Sequence, residues 1–149
     1  MRIAIGADSA GVELKNLIGL RLTGRAGIDV VDHGVPDAAT ATAYPHIGLD
    51  VARAVAAGEA DRGLLICGTG IGMAIAANKV AGVRATVAHD GFSVERSVLS
   101  NDCQVLALGE RVIGLQLARR LVAEWIGYRF DPASPSQRNV AVITDYESR

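Results

Sequence analysis

Apolar positions along the chain fall into two kinds of run. Ile3 to Gly6, Leu64 to Ile66 and Cys103 to Leu108 are short and continuous, without alternation, as in strands buried on both faces of a parallel sheet. Asp29 to Asp32 and Arg84 to Ala88, the latter entered through Gly82, read as two further strands. Between them, apolar residues recur at helical spacing. Val12, Leu14, Leu17, Ile18 and Leu22 mark a helix that runs to about Arg25, with Gly24 near its end. Helices are likewise expected over Ile47–Ala57, Ala74–Asn78, Phe92–Leu99, about Val112–Trp125 and Ser136–Tyr146. Strand and helix alternate, and right-handed crossovers turn that order into an α/β fold, a doubly wound parallel sheet of about five strands in a single domain. The tail from Asp131 has no strand to complete, so it is expected to pack on a partner subunit.

The stretch Leu64–Lys79, LLICGTGIGMAIAANK, organises the rest: a buried strand delivers Cys67 into a glycine turn that opens a helix. Gly68, Gly70 and Gly72 let the backbone turn sharply, leaving the amides of Thr69 to Met73 unpaired above the strand. Such a loop can hold a phosphate or a developing oxyanion. A thiol in that field is expected to be partly thiolate near neutral pH, a candidate base or nucleophile. Cys67 as a small core residue is the alternative. CGTGIG is neither the Walker loop, since no Gly-Lys-Ser/Thr follows, nor the dinucleotide fingerprint after a first strand. A nucleotide is not implied.

Asp8, Cys67, Thr69, His89, Asn101 and Arg111 all read as lying at or just after strand C-termini, where open α/β sheets bind ligands, so one crevice could collect them. The long connection Val35–Pro45 ends in Tyr44-Pro45-His46, whose aromatic side chains serve either helix-start packing or ligand contact. His89 is either a site residue or an exposed neighbour of Asp90, which caps the next helix. Cys103, inside an apolar strand, reads as core.

Composition narrows the partners. The 149 residues are 50% hydrophobic but only 4% aromatic, so Ala, Val, Ile and Leu build the core. With 15 basic and 16 acidic residues and a net charge of −1, the chain has no electrostatic footprint for nucleic acid or an anionic membrane. A small molecule is the expected ligand. Cys67 and Cys103 give neither a disulfide framework nor a metal-ligand spacing, and suit a reducing cytoplasm. The N-terminus MRIAIGAD has no signal-peptide pattern, and the uncharged segment between Arg62 and Lys79 falls short of the roughly 20 apolar residues of a membrane span.

A thiol beside oriented amides admits three readings: proton transfer next to a carbonyl, nucleophilic thiol chemistry, or non-catalytic binding of a phosphorylated ligand. The arginine that closes the longer cysteine loop of small phosphatases is absent, which weakens the second. ICGTGIG with AANK, then GVRA, AHD, SND and GERVIG, resemble in order and spacing the ribose-5-phosphate isomerase B / galactose-6-phosphate isomerase family, over nearly the whole chain.

The resemblance implies a Rossmann-like three-layer fold, an aldose–ketose sugar-phosphate isomerase acting through an enediolate, no cofactor, no metal, and a homodimer or tetramer with the site at the subunit interface. Cys67 would then shuttle the proton. The loop from Gly68 through Gly70 and Ile71 to Gly72 would hold the enediolate, and Asp8 the substrate hydroxyls. Thr69, Tyr44 and Asn101 would contact sugar oxygens, Asn101 from the partner subunit. Arg111 and Arg138 would lie near the phosphate. The chain departs from the ribose-type pattern in three places. Ser9 and Ser100 stand where histidines are usual, the second of them the ring-opening one, and Pro135 and Asn139 fall near the positions of two phosphate arginines. Losing the ring-opening imidazole while keeping the thiol suits an open-chain substrate. A GADSAG first loop with SN in the later loop is similar to the D-erythrulose-4-phosphate isomerases. Ribose-5-phosphate isomerase and a non-catalytic phosphosugar-binding relative are the alternatives.

Overall fold

The computed structural model describes residues 1–148. The apolar runs form five strands, β1 (Arg2–Ala7), β2 (Asp29–Asp32), β3 (Arg62–Cys67), β4 (Ala85–Val87) and β5 (Val105–Gly109). They pair in parallel throughout, in the order β2-β1-β3-β5-β4. The central positions go to the runs poorest in polar side chains, β1, β3 and β5. The shorter DVVD and ATV segments take the edges, where one flank stays in solvent.

Six helices connect and cover the sheet: α1 (Val12–Thr23), α2 (Tyr44–Ala56), α3 (Ile71–Ala77), α4 (Gly91–Leu99), α5 (Leu115–Trp125) and α6 (Gln137–Glu147). Side-chain alternation along the strands feeds two cores. Ile3, Ile5, Leu64, Ile66, Leu106 and Leu108 pack with Ile18, Leu22, Val98, Leu121 and Trp125 from α1, α4 and α5. Ala4, Leu65, Cys67, Val105 and Ala107 pack on the other face with Val51, Met73 and Ala77 from α2 and α3. The result is the expected three-layer doubly wound sheet. Each fully buried Leu or Ile contributes about 1.5–3 kcal/mol, so the first core, rich in both, holds its helices more strongly than the second, which is built mainly of Ala and Val.

Several boundaries differ from the sequence reading for identifiable reasons. Helix α3 starts at Ile71 rather than Ala74, because Gly70 adopts the left-handed conformation (φ 81°) and closes the turn itself. Helix α5 starts three residues after Val112, because the amides of Val112 and Ile113 fold back in a turn onto the Gly109 carbonyl. Helix α2 begins at Tyr44, with Pro45 in its first turn, where a missing N–H costs nothing.

Asn101 requires a larger correction. Its loop follows α4 and precedes β5, so it lies at the N-terminal end of the sheet, the end opposite Cys67. Arg84 fixes it there, its Nε donating to the carbonyls of Asn101 and Asp102 and its Nη2 pairing with the Asp102 carboxylate. In a parallel sheet, loops that follow strands and loops that follow helices sit at opposite ends. One crevice in a single chain therefore does not collect all six polar residues.

Two features were not legible in the pattern. Arg62 is buried at the start of β3, where its guanidinium donates to the carbonyls of Trp125 and Tyr128 at the end of α5. Burial first, then the charge of Arg129, pushes it down to about 10. The tail forms α6 as expected, but Val140 is its one buried residue, while Val142, Ile143 and Tyr146 face solvent. No described helix is long and apolar enough to cross a membrane.

Candidate active site

At the C-terminal ends of β1, β3 and β5 the chain opens into a cleft of about 470 Å³. Asp8, Tyr44, Cys67, Gly68, Thr69, Ile71, Gly72 and Arg111 line it, with Ala10 and Ile75. These are sequence-distant residues brought together by strand order: β3 lies between β1, which carries Asp8, and β5, which leads to Arg111.

Cys67 ends β3 and is buried. Its Sγ accepts the Gly70 amide at 3.1 Å, so a donor is already aimed at the sulfur. The Ile71 amide turns to the Thr69 hydroxyl at 3.4 Å. This corrects the expectation that all amides from Thr69 to Met73 are free, since two of them serve the loop's own side chains. Gly68 and Thr69 show no amide partner among the described residues, and Gly72 precedes the first helical bond of α3, Ala74 to Gly70.

The loop lies flat on the end of β5. Cys67 is in register with Gly109, and a Cβ on Gly109 would stand 2.6 Å from Thr69 Cα and 2.7 Å from its carbonyl carbon. Only glycine permits that approach. The next two amides grip the loop directly: Glu110 donates to the Cys67 carbonyl at 2.9 Å and Arg111 to the Gly68 carbonyl at 3.1 Å. The Glu110 carboxylate also accepts the Leu14 amide at 3.0 Å, tying the first turn of α1 to the same segment. That link spans 96 positions, and no local signal in the sequence announces it.

Asp8 is half-buried, and its Oδ1 accepts the Ala10 amide at 3.0 Å. Its other oxygen has no protein donor among the described residues. The Tyr44 ring packs on Gly72 from the first turn of α2. Arg111 forms no salt bridge among the described residues and extends over Gly68, an exposed cation at the edge of the cleft.

Other candidates lie elsewhere. Ser9 is exposed and outside the lining, as is His46. Ser100 and Asn101 sit at the far end of the sheet, and Arg138 is exposed on α6. Asp90 caps α4 as expected, accepting the Ser93 amide at 2.8 Å. His89 does something neither reading anticipated: its Nε2 accepts the Gly109 amide at 2.8 Å. Burial lowers its proton affinity, partly offset by the Asp90 charge. Cys103 is buried in the core, where desolvation pushes its thiol up to about 11.

A larger cavity, about 830 Å³, lies beside α6 among Arg62, Arg84, Arg129 and Cys103, at the sheet's other end. Size does not make it the reactive site, because the only thiol there is the one burial keeps protonated. Among the described residues no group of three His, Cys, Asp or Glu is placed to hold a metal ion.

Residues 3–143 match the Ribose/Galactose Isomerase family. The chain is 53% identical over 148 residues to D-erythrulose-4-phosphate isomerase 2 of Mycolicibacterium smegmatis, a match covering 99% of this chain and 97% of that one. It is 46% identical over 148 residues to ribose-5-phosphate isomerase B of Escherichia coli, again over 99% and 97%. The solved structure of ribose-5-phosphate isomerase B from Clostridium thermocellum superposes with a TM-score of 0.94 at 43% identity, across 99% of this chain and 98% of that one.

Proposed function

Since this chain belongs to the ribose/galactose isomerase family and is a sugar-phosphate aldose–ketose isomerase, we propose that it interconverts D-erythrulose 4-phosphate and D-erythrose 4-phosphate at the Cys67 cleft. The observation that carries the choice of substrate is the missing imidazole: none faces the cleft among the described residues, and the loop expected from a second copy carries Ser100 where the ring-opening histidine is usual. A four-carbon ketose phosphate is open-chain and needs no acid–base group to open a ring. The relative named for that substrate, at 53% identity, supports the same choice.

The C1 protons of the ketose are acidified by the neighbouring C2 carbonyl. Cys67, as thiolate, takes one of them, and the electron pair moves into a C1–C2 double bond, placing the negative charge on O2. The amides of Gly68, Thr69 and Gly72 surround that oxygen, while Gly70 stays on the sulfur. Cys67 then returns the proton to C2. The O1 hydroxyl proton passes to O2, leaving an aldehyde at C1. Atoms and charge balance without a cofactor.

Asp8 binds substrate hydroxyls through its free oxygen, Thr69 and Tyr44 contact sugar oxygens, and Arg111 holds the phosphate. Ser100, Asn101 and Arg138 belong to the site only through a second copy of the chain, whereas Ser9, next to Asp8, stands at the cleft end of the chain's own sheet. Asn101 lies at the wrong end of its own sheet to reach Cys67. A homodimer or larger assembly, with the cleft at the interface, fits the exposed apolar residues at the cleft, Ile71 and Ile75, with Val112 nearby. It also gives the open face of α6 a surface to cover.

The second reading, ribose-5-phosphate isomerase, is favoured by the relative at 46% identity. Turnover of D-erythrulose 4-phosphate measured beside D-ribose 5-phosphate separates the two. Clear preference for the tetrulose supports the proposal. Equal or better turnover of the pentose means that ring opening has another route and overturns it.

A further inference from the structure

Strand β4 ends too early to finish its side of the sheet. Its last ladder residue is Val87, paired with Ala107, whereas β5 continues to Gly109. On the β3 side, the end of β5 is fully engaged, through the Cys67–Gly109 register and the Glu110 amide. On the β4 side, the Gly109 amide has no strand carbonyl left to meet. The His89 imidazole takes that place, its Nε2 accepting at 2.8 Å. Accepting there puts the ring proton on Nδ1 and leaves the ring neutral.

The consequence is transmitted by contact. Gly109 presses against the Thr69 backbone with no room for a Cβ, and the two residues after it hold the Cys67 and Gly68 carbonyls. His89 does not line the cleft. We infer that His89 is a positioning residue: its acceptor nitrogen, acting through Gly109, fixes the height of the Cys67–Gly70 loop against the end of β5. A buried amide left unpaired is costly, so without the imidazole this segment shifts or opens toward water. The proposal rests on the assignment of the chemistry to Cys67.

Two substitutions separate acceptor from bulk. Gln extends an amide oxygen to about the reach of Nε2 and keeps the bond, whereas Leu keeps volume and loses it. The first readout is kcat on the sugar phosphate. The second does not involve isomerisation: the rate at which iodoacetamide alkylates Cys67 in a Cys103→Ala background. Cys67 lines the cleft but is only 6% exposed, its sulfur held under the Gly70 amide, so loosening the loop bares more of it to the reagent. His89→Leu is expected to lower kcat about 10- to 100-fold, as ångström-scale misplacement of a reacting group does. It is also expected to raise the alkylation rate about threefold or more. His89→Gln should stay close to wild type in both. Unchanged alkylation in His89→Leu, or Gln and Leu variants that fall together, overturns the inference. If the wild type turns over no sugar phosphate, the functional reading fails, and the alkylation rates still decide the role of His89.

Discussion

The ring of Tyr44 lies so close over Gly72 that a methyl group there would stand 2.5 Å from Tyr44 Cε2. The contact joins the first turns of α2 and α3 across the mouth of the cleft. Tyr44 is 42% exposed, so it has somewhere to go when pushed. Gly72→Ala should therefore have effects of opposite sign. Alanine in place of glycine in α3 stabilises the helix by about 0.5–1 kcal/mol, so the melting temperature holds or rises. The displaced phenol loses its substrate contact, and KM rises about 2- to 12-fold, the equivalent of one ordinary hydrogen bond. Unchanged KM would remove Tyr44 from the substrate site.

Among the described residues Arg111 has no carboxylate partner, and its exposed guanidinium stands at the edge of the cleft. Arg111→Met should raise KM for a sugar phosphate by about 10- to 100-fold, the value of a hydrogen bond to a charged group. Inhibition by inorganic phosphate should weaken in parallel. A change in kcat with KM intact would assign Arg111 to the reacting carbons instead.

His89 gives stability a pH dependence of defined sign. Burial holds its proton affinity below the ordinary value of 6.5, so the unfolded chain takes up the proton before the folded one does. Its contribution is complete above 6.5 and is lost as pH falls through the lower, folded value. Asp90 is the charge that opposes this shift. The carboxyls of Asp61 and Asp90 are held below their ordinary 3.8, so their own losses come at more acid pH. The urea midpoint of the wild type should fall between about pH 7 and pH 5 more steeply than that of His89→Gln. Parallel slopes would contradict the assignment.

The alternation of short apolar runs with helical ones was enough to foretell the sheet, and the Cys67 turn pointed to the cleft that β1, β3 and β5 frame, because both are local patterns. Asn101 misled for an equally physical reason. A polar loop looks the same before a strand as after one, and only the count of elements tells which end of the sheet it occupies. Glu110 and His89 were invisible as supports, since each acts on a backbone amide far along the chain, Leu14 and Gly109 respectively. Gly109 itself looked like an ordinary end of strand. Its requirement for glycine comes from Thr69, forty positions away, lying on it.

Proton transfer at the Cys67 cleft is assigned to the Cys67 sulfur. The direct measurement is exchange of the C1 protons of D-erythrulose 4-phosphate with deuterated solvent, followed by NMR, in the wild type and in Cys67→Ala. Cys103→Ala serves as the second thiol control. Cys67→Ala should fold normally and lose exchange by about 10²- to 10⁴-fold, the usual contribution of a positioned base. Cys103→Ala should exchange at the wild-type rate. Wild-type exchange in Cys67→Ala would mean that another group removes the proton and that Cys67 is not the base.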